Sequence, residues 1–80
     1  MRTVAEIRRG LGAEIRAERA RQGKMAQWYL AQRAGLGRST LSKIENGGDA
    51  TLSDLQAIAG ALGVPLTELL RRAGEERGRG

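Results

Sequence analysis

Apolar residues recur along this 80-residue chain at intervals of three and four, the spacing that places side chains on one face of an α-helix. They lie in residues 4–15, 30–44, 52–62 and 66–70, and glycine or polar residues separate these groups. The pattern predicts a small all-α domain. The apolar positions are Val4, Ile7, Leu11 and Ile15; Leu30, Leu36, Leu41 and Ile44; Leu52, Leu55, Ile58, Ala59 and Leu62; and Leu66, Leu69 and Leu70.

The first apolar group begins at a helix-start signal. Thr3-Val4-Ala5-Glu6 is a capping box, in which the hydroxyl accepts from the third helical amide and the glutamate reaches back. A helix is expected to run from here to about Arg21. Gly10 and Gly12 each cost about 1 kcal/mol relative to alanine inside a helix. Residues 3–9 therefore form either the start of this helix or a separate turn before it.

The last two apolar groups have their own boundary signals. Thr51-Leu52-Ser53-Asp54 opens a helix in capping-box fashion, and Gly63 ends it. Pro65 stands in the first turn of the last helix, where its missing donor costs nothing. Residues 71–80 lack apolar anchors. The chain is therefore expected to be one domain over residues 1–70, followed by a disordered basic tail over residues 71–80.

The stretch from Gln27 to Gly47 has the pattern of two short helices joined by a tight turn. Such a pair needs a small residue where the helices cross and a glycine where the backbone becomes left-handed, and Ala31 and Gly35 supply them. The apolar residues of the stretch then point inward. The stretch is predicted to be a helix-turn-helix whose second helix has a polar, basic outer face.

That outer face suits the major groove of B-DNA, which admits one helix and is read by guanidinium, ammonium and hydroxyl groups. Arg38 has a guanidinium fork that can bind O6 and N7 of guanine, whereas Lys43 could equally bind a phosphate. The candidate base-contacting residues are Arg38, Ser39, Thr40, Ser42 and Lys43.

The sequence G-L-G-R-S-T-L-S-K-I-E-N-G, followed by T-L-S-D-L-Q-A-I-A-G-A-L-G-V-P-L-T-E-L-L, closely resembles Xre/Cro-type, lambda-repressor-like DNA-binding domains. The resemblance covers roughly Leu11 to Arg71. It implies a compact five-helix domain of a transcription regulator, usually dimeric on a two-fold operator, with the second helix of the motif as the recognition helix. It also implies that a first-helix arginine, either Arg19 or Arg16, pairs with Glu45 at the end of that helix.

A second set of residues is expected to bind the DNA backbone and fix the register without reading sequence. In the resembled family the loop after the recognition helix binds phosphate. Arg21 and Lys24 could bind phosphate or simply complement the negative end of the first helix, and both readings stay open. The candidate backbone-contacting residues are Gln27, Asn46, Gly47, Lys24 and Arg21.

The chain departs from the family pattern at the start of the second helix. Residues 23–26 contain one extra residue and no hydroxyl N-cap, a loss of about 1 kcal/mol. Trp28 and Tyr29 replace the usual polar side chains, while Glu18 stands where the first helix commonly has leucine. We expect one aromatic side chain to fold onto the first helix and fill this gap. The alternative is that the aromatics contact DNA sugar or a partner protein.

Charge separates along the chain. Residues 1–24 carry a net charge of +4, residues 25–47 carry +2, and residues 48–70 carry −3. This is the distribution expected when a phosphate-facing surface lies beside a surface that does not face DNA. Ordinary solvated charge would give the same counts, but here the basic half coincides with the motif.

The residue types that are missing exclude other classes of function. The chain has no cysteine and no histidine, so it lacks the commonest nucleophile, general base and zinc ligand. No enzyme activity, catalytic residue, cofactor or metal is therefore expected. The sequence has neither an apolar run of about 18 residues nor a signal-peptide core near its start. A cytoplasmic protein associated with the nucleoid is expected.

The leading hypothesis is a sequence-specific DNA-binding transcriptional regulator, in the first instance a repressor, that binds double-stranded DNA as a homodimer on a palindromic operator. An antitoxin or a restriction-modification controller would have the same fold, and a toxin or anti-regulator partner stays open. The competing class is a helical protein-interaction adaptor that uses Trp28 and Tyr29. Arg38 and Lys43 argue against it.

Overall fold

The structure is a computed structural model that describes residues 2–78, with side chains as far as residue 74. The described residues form five α-helices and no strand, which confirms the predicted all-α, five-helix fold. The helices are α1 Val4–Arg21, α2 Gln27–Ala34, α3 Arg38–Glu45, α4 Leu52–Leu62 and α5 Leu66–Gly78. None of them is long and apolar enough to cross a lipid bilayer.

Helix α1 is continuous, so residues 3–9 do not form a separate turn. Gly12 lies against the end of α3: an added Cβ there would lie 2.7 Å from the carbonyl oxygen of Ile44 and closer still to that of Glu45. The glycine therefore permits close packing of two helix backbones, and this packing outweighs its low helix propensity.

Capping boxes start α1 and α4, as the sequence predicts. Thr3 Oγ1 accepts from the amide of Glu6 at 3.1 Å, while the Glu6 carboxylate accepts from the amide of Thr3 at 2.9 Å. The hydrogen bond from the Thr3 backbone lowers the pKa of Glu6 below its ordinary value. Thr51 and Asp54 repeat the arrangement at α4.

Apolar residues of all five helices make the core, but four members of the predicted apolar groups remain exposed: Val4, Ile7, Leu52 and Leu70. Helix α1 packs against α5 and α3, and α2 packs against α4 and α3. This arrangement buries the inner side of α3 and leaves its other side to solvent. The buried apolar residues are Leu11, Ile15, Leu30, Ala31, Leu41, Ile44, Ile58, Ala59, Leu62, Leu69 and Ala73.

Helix α5 runs on to Gly78, in contrast to the disordered tail expected over residues 71–80. Ala73 is buried, and Arg72 Nη1 donates to Glu18 Oε1 at 2.8 Å. These contacts hold α5 against α1 around residues 72–73, and the spacing of apolar residues in the sequence did not reveal them. Residues 79 and 80 lie outside the described residues.

The gap that Glu18 was expected to leave is filled by polar contacts instead of an aromatic ring. The Glu18 carboxylate accepts from Gln22, Arg21 and Arg72 at 2.8–2.9 Å, and these hydrogen bonds, the one from Gln22 first, lower its pKa although burial opposes them. Trp28 and Tyr29 remain 56% and 41% exposed and meet edge to face. The prediction that one of them packs on the first helix is wrong.

Candidate nucleic-acid interface

Helices α2 and α3 form the predicted helix-turn-helix. Gly35 has φ 72°, the left-handed conformation that a β-carbon disfavours, and the amide of Leu36 donates to the Ala31 carbonyl at 2.9 Å. Gly37 then serves as the N-cap of α3 with an extended backbone. The turn thus has the glycines at the positions where the sequence predicts them.

The outer face of α3 is open to solvent at both ends of the helix. Arg38 and Ser39 are exposed in its first turn, and Lys43 is exposed one turn later. Thr40 and Ser42 are only half-buried. The five candidate base-contacting residues therefore all retain accessible surface on one short helix.

A buried ion pair fixes the other end of α3. Glu45 is 2% exposed, and its two carboxylate oxygens accept from Nε and Nη2 of Arg19 at 2.8 and 2.7 Å. Arg19 Nη1 also donates to the carbonyl of Met25 at 2.7 Å. The same guanidinium therefore joins α1, the end of α3 and the loop before α2. Of the two arginines proposed for this role, the structure selects Arg19.

Gln27 lies between the two ends of α3. Its Nε2 donates to Glu45 Oε1 at 3.2 Å, and its Oε1 accepts from Arg38 Nε at 3.5 Å. The second contact is long and therefore weak. Gln27 is the first residue of α2. Its side chain therefore connects the start of α2 with the last residue of α3, Glu45, and with the first, Arg38.

The loop after α3 differs from the expectation in one respect. Gly47 has φ 90°, but its amide donates to the Ile44 carbonyl at 3.0 Å, and the amide of Gly48 donates to that of Lys43 at 2.8 Å. These amides therefore already have partners in the helix end. The side chain of Asn46 is exposed, and Arg16 Nη1 donates to its Oδ1 at 3.3 Å. Arg16 was not among the sequence-derived DNA-contacting residues.

Arg21 and Lys24 differ in environment. Arg21 forms ion pairs with Glu14 and Glu18, and the hydrogen bonds to Glu18 and then to Glu14 raise the pKa of its guanidinium. Lys24 follows the left-handed Gly23, itself has φ 59°, and is exposed. Both residues are exposed, but among the described residues only Arg21 has carboxylate partners.

The described residues do not bring three potential metal ligands of the His, Cys, Asp or Glu types together. Besides the exposed rings of Trp28 and Tyr29 on α2, the groups that α3 and the loop after it present include cations, hydroxyls and amides. Such groups bind phosphate oxygens and the edges of bases.

Comparison with known proteins identifies the family of the chain. A sequence model of the helix-turn-helix family matches residues 15–69, which is more than half of the chain. The match begins inside α1 and ends at Leu69 in α5, so it includes α2, the turn and α3 in full. No curated protein matches the chain significantly.

Proposed function

Because the chain belongs to the Xre/lambda-repressor-like family of helix-turn-helix DNA-binding regulators, we propose that it is a sequence-specific transcriptional regulator, most simply a repressor, that binds a palindromic operator as a homodimer. It acts by occupying DNA and performs no chemistry. Its expected place of action is the nucleoid.

The exposed outer face of α3 carries this proposal. A recognition helix reads sequence only if its side chains reach the base edges from a fixed position. The buried Arg19–Glu45 pair and the Gln27 bridge hold α3 in register with α1 and α2, while Arg38 stands exposed at its start. Arg38 is assigned to guanine, and Ser39, Thr40, Ser42 and Lys43 complete the reading face.

The starts of α2 and α3 offer a second kind of contact. No side chain caps either helix, whereas capping boxes satisfy the first amides of α1 and α4. Uncapped amides at a helix N-terminus are donors that suit a phosphate oxygen. We therefore assign Gln27 to the DNA backbone, together with Asn46 and Lys24. Arg21 and Gly47 remain candidates for the same backbone role, although the Arg21 guanidinium is ion-paired and the Gly47 amide donates within the end of α3.

A homodimer would use the apolar surface around Leu70. Leu70 is 39% exposed and lies where three surface grooves meet, one of which also contains Leu52, which is 73% exposed. The exposed residue Ile7 of α1 lines the two other grooves, and the exposed residue Val4 lines one of them. A second copy is the occupant that a two-fold operator requires, and its packing would also support a small core.

Selection of bound sequences from random double-stranded DNA tests the function and identifies the operator. The expected result is one enriched motif with two-fold symmetry. Recovery of no sequence preference, at salt concentrations where the protein binds DNA, would exclude a sequence-specific regulator.

A second candidate function is a protein-interaction adaptor, and the exposed aromatic pair favours it. Trp28 and Tyr29 lie 5.9 Å apart between ring centroids on α2, with the Arg33 guanidinium 5.6 Å from the Tyr29 ring. A salt titration separates the two candidates, because binding through phosphates weakens steeply with salt and an aromatic interface does not.

A further inference from the structure

Two arginines of α1 carry charge that no carboxylate of the described residues pairs with. Arg9 and Arg16 are both exposed, and Glu6, the acidic neighbour of Arg9 one turn away, binds Thr3 instead. The other arginines of the helix are paired: Arg8 with Asp49, Arg19 with Glu45, and Arg21 with Glu14 and Glu18. Arg9 and Arg16 therefore differ from their neighbours in having an available charge.

Both arginines lie beside the loop that follows α3. The Cγ and Cα of Arg9 lie 2.9 and 3.5 Å from the place where a β-carbon on Gly47 would stand. Arg16 Nη1 donates to Asn46 Oδ1 at 3.3 Å. Gly12, between them on the same face of α1, lies against the main chain of Ile44 and Glu45 at the end of α3. One face of α1 thus lies along the end of the recognition helix.

We propose that Arg9 and Arg16 bind DNA phosphates next to Asn46 and so extend the interface along α1. This inference rests on the proposed DNA-binding function. The stem of Arg9 packs on a residue without a side chain, which leaves its guanidinium free to reach past the loop. Arg9 also precedes the family match, which begins at residue 15. The family match therefore does not include it.

If Arg9 and Arg16 had only a structural role, substituting them would change stability instead of the salt dependence of DNA binding. The carbonyl end of α3 has partial negative charge, and cations near it stabilise the helix. Arg9 and Arg16 would then contribute to folding and leave the salt dependence of DNA binding unchanged. Stability and salt dependence must therefore be measured on the same variants.

The test compares Arg9→Met, Arg16→Met and the double variant with the full chain. Methionine keeps most of the aliphatic stem and removes the charge. Each substitution removes one arginine–phosphate interaction per protomer, so for a bound dimer the slope of log affinity against log salt should become less negative by about 1.8, or about 0.9 per protomer. The decrease in affinity between about 50 and about 200 mM salt then becomes about 12-fold smaller for the dimer. Affinity for operator and for random DNA should fall by the same factor. Arg9→Lys and Arg16→Lys should keep the slope.

Arg71→Met is the matched control, because it removes the same charge from an exposed position of α5. It should leave the slope unchanged. If the full chain binds DNA but Arg9→Met and Arg16→Met keep its slope, with or without a lower thermal midpoint, the inference is overturned and the proposed function stands. If the full chain binds no DNA at any salt concentration, the proposed function itself fails.

Discussion

Gly12 sets how closely α1 approaches the recognition helix. The nearest atoms to an added β-carbon are main-chain carbonyls of Ile44 and Glu45, which cannot rotate away as the end of a side chain can. The sequence showed this glycine only as a weakness in a helix. Its role depends on a contact between residues more than thirty positions apart, which local spacing does not contain.

Gly12→Ala is therefore expected to destabilise the fold by about 1 to 3 kcal/mol, the usual cost of overpacking. Urea denaturation would measure the change. Gly60→Ala is the control, since Gly60 is an exposed residue of α4 with open space where its β-carbon would be. There the gain in helix propensity should stabilise the protein by about 0.5 to 1 kcal/mol. Equal effects at the two positions would contradict the close approach.

Substitutions of Arg38 and Asn46 are expected to have different effects on the sequence specificity of DNA binding. A bidentate contact from Arg38 to guanine would be worth about 1 to 3 kcal/mol of discrimination, whereas a phosphate contact from Asn46 carries no sequence information. Arg38→Ala should therefore flatten the preference at one base pair per half-site, and Asn46→Ala should weaken all sequences about equally. Binding to a panel of single-base operator variants measures both. A uniform loss for Arg38→Ala would make it a phosphate contact.

Glu18 shows why some side chains could not be placed from the sequence. A carboxylate at a core-facing position suggested a gap, and the nearby aromatics suggested a filling. The missing information was Arg72, which lies 54 residues away in a stretch without apolar anchors. Long-range polar partners have no periodicity, so they are found only when the helices have been packed.

At the scale of the helices, the Arg19–Glu45 pair connects α1 with α3 and, through Gln27 and the Met25 carbonyl, with the start of α2. The helix ends and the motif were readable from capping boxes, glycines and apolar spacing, because these signals are local. The choice between Arg16 and Arg19 was not, because it depends on the rotation of α1 about its axis.

Arg19→Met should be strongly destabilising because it leaves the Glu45 carboxylate, whose side chain is 2% exposed, without its charged donor. The expected cost is about 3 to 5 kcal/mol. The double variant Arg19→Met with Glu45→Met should recover much of this stability, since no buried charge then remains. Chemical denaturation of the two single variants and the double variant completes the cycle. A cost below about 1 kcal/mol for Arg19→Met would show that the pair contributes little.

At the scale of the whole molecule, carboxylates join the last helix to the first. Gln22, then Arg21 and Arg72, lower the pKa of Glu18 below its ordinary value of 4.5. Arg71 and then Arg72 lower the pKa of Glu68 to about 2. A carboxylate with a lowered pKa in the folded state stabilises the fold above its unfolded-state pKa. That contribution is lost as the pH falls through the folded-state value.

The free energy of unfolding should therefore fall as the pH drops from about 4.5 towards about 2. Thermal unfolding followed by circular dichroism at several pH values measures this. The double variant Glu18→Gln with Glu68→Gln should be less stable at neutral pH and should show a flatter decline in acid. A decline as steep as that of the unmodified chain would mean that other groups govern acid unfolding.

The proposed homodimer has a two-fold symmetry that sets the spacing of its half-sites on DNA. Under the proposed function one α3 helix would enter one major groove, so two copies related by a two-fold axis would read half-sites about 10 bp apart on one face of DNA. Sedimentation equilibrium with a duplex carrying the selected operator should give two protomers per duplex. Leu70→Glu should weaken self-association and favour single occupancy, because it places a charge where the exposed apolar grooves meet. Gln32→Glu adds the same charge at an exposed position of α2 and should leave self-association unchanged. Saturation of the operator by one protomer, with no second binding event, would contradict the dimer.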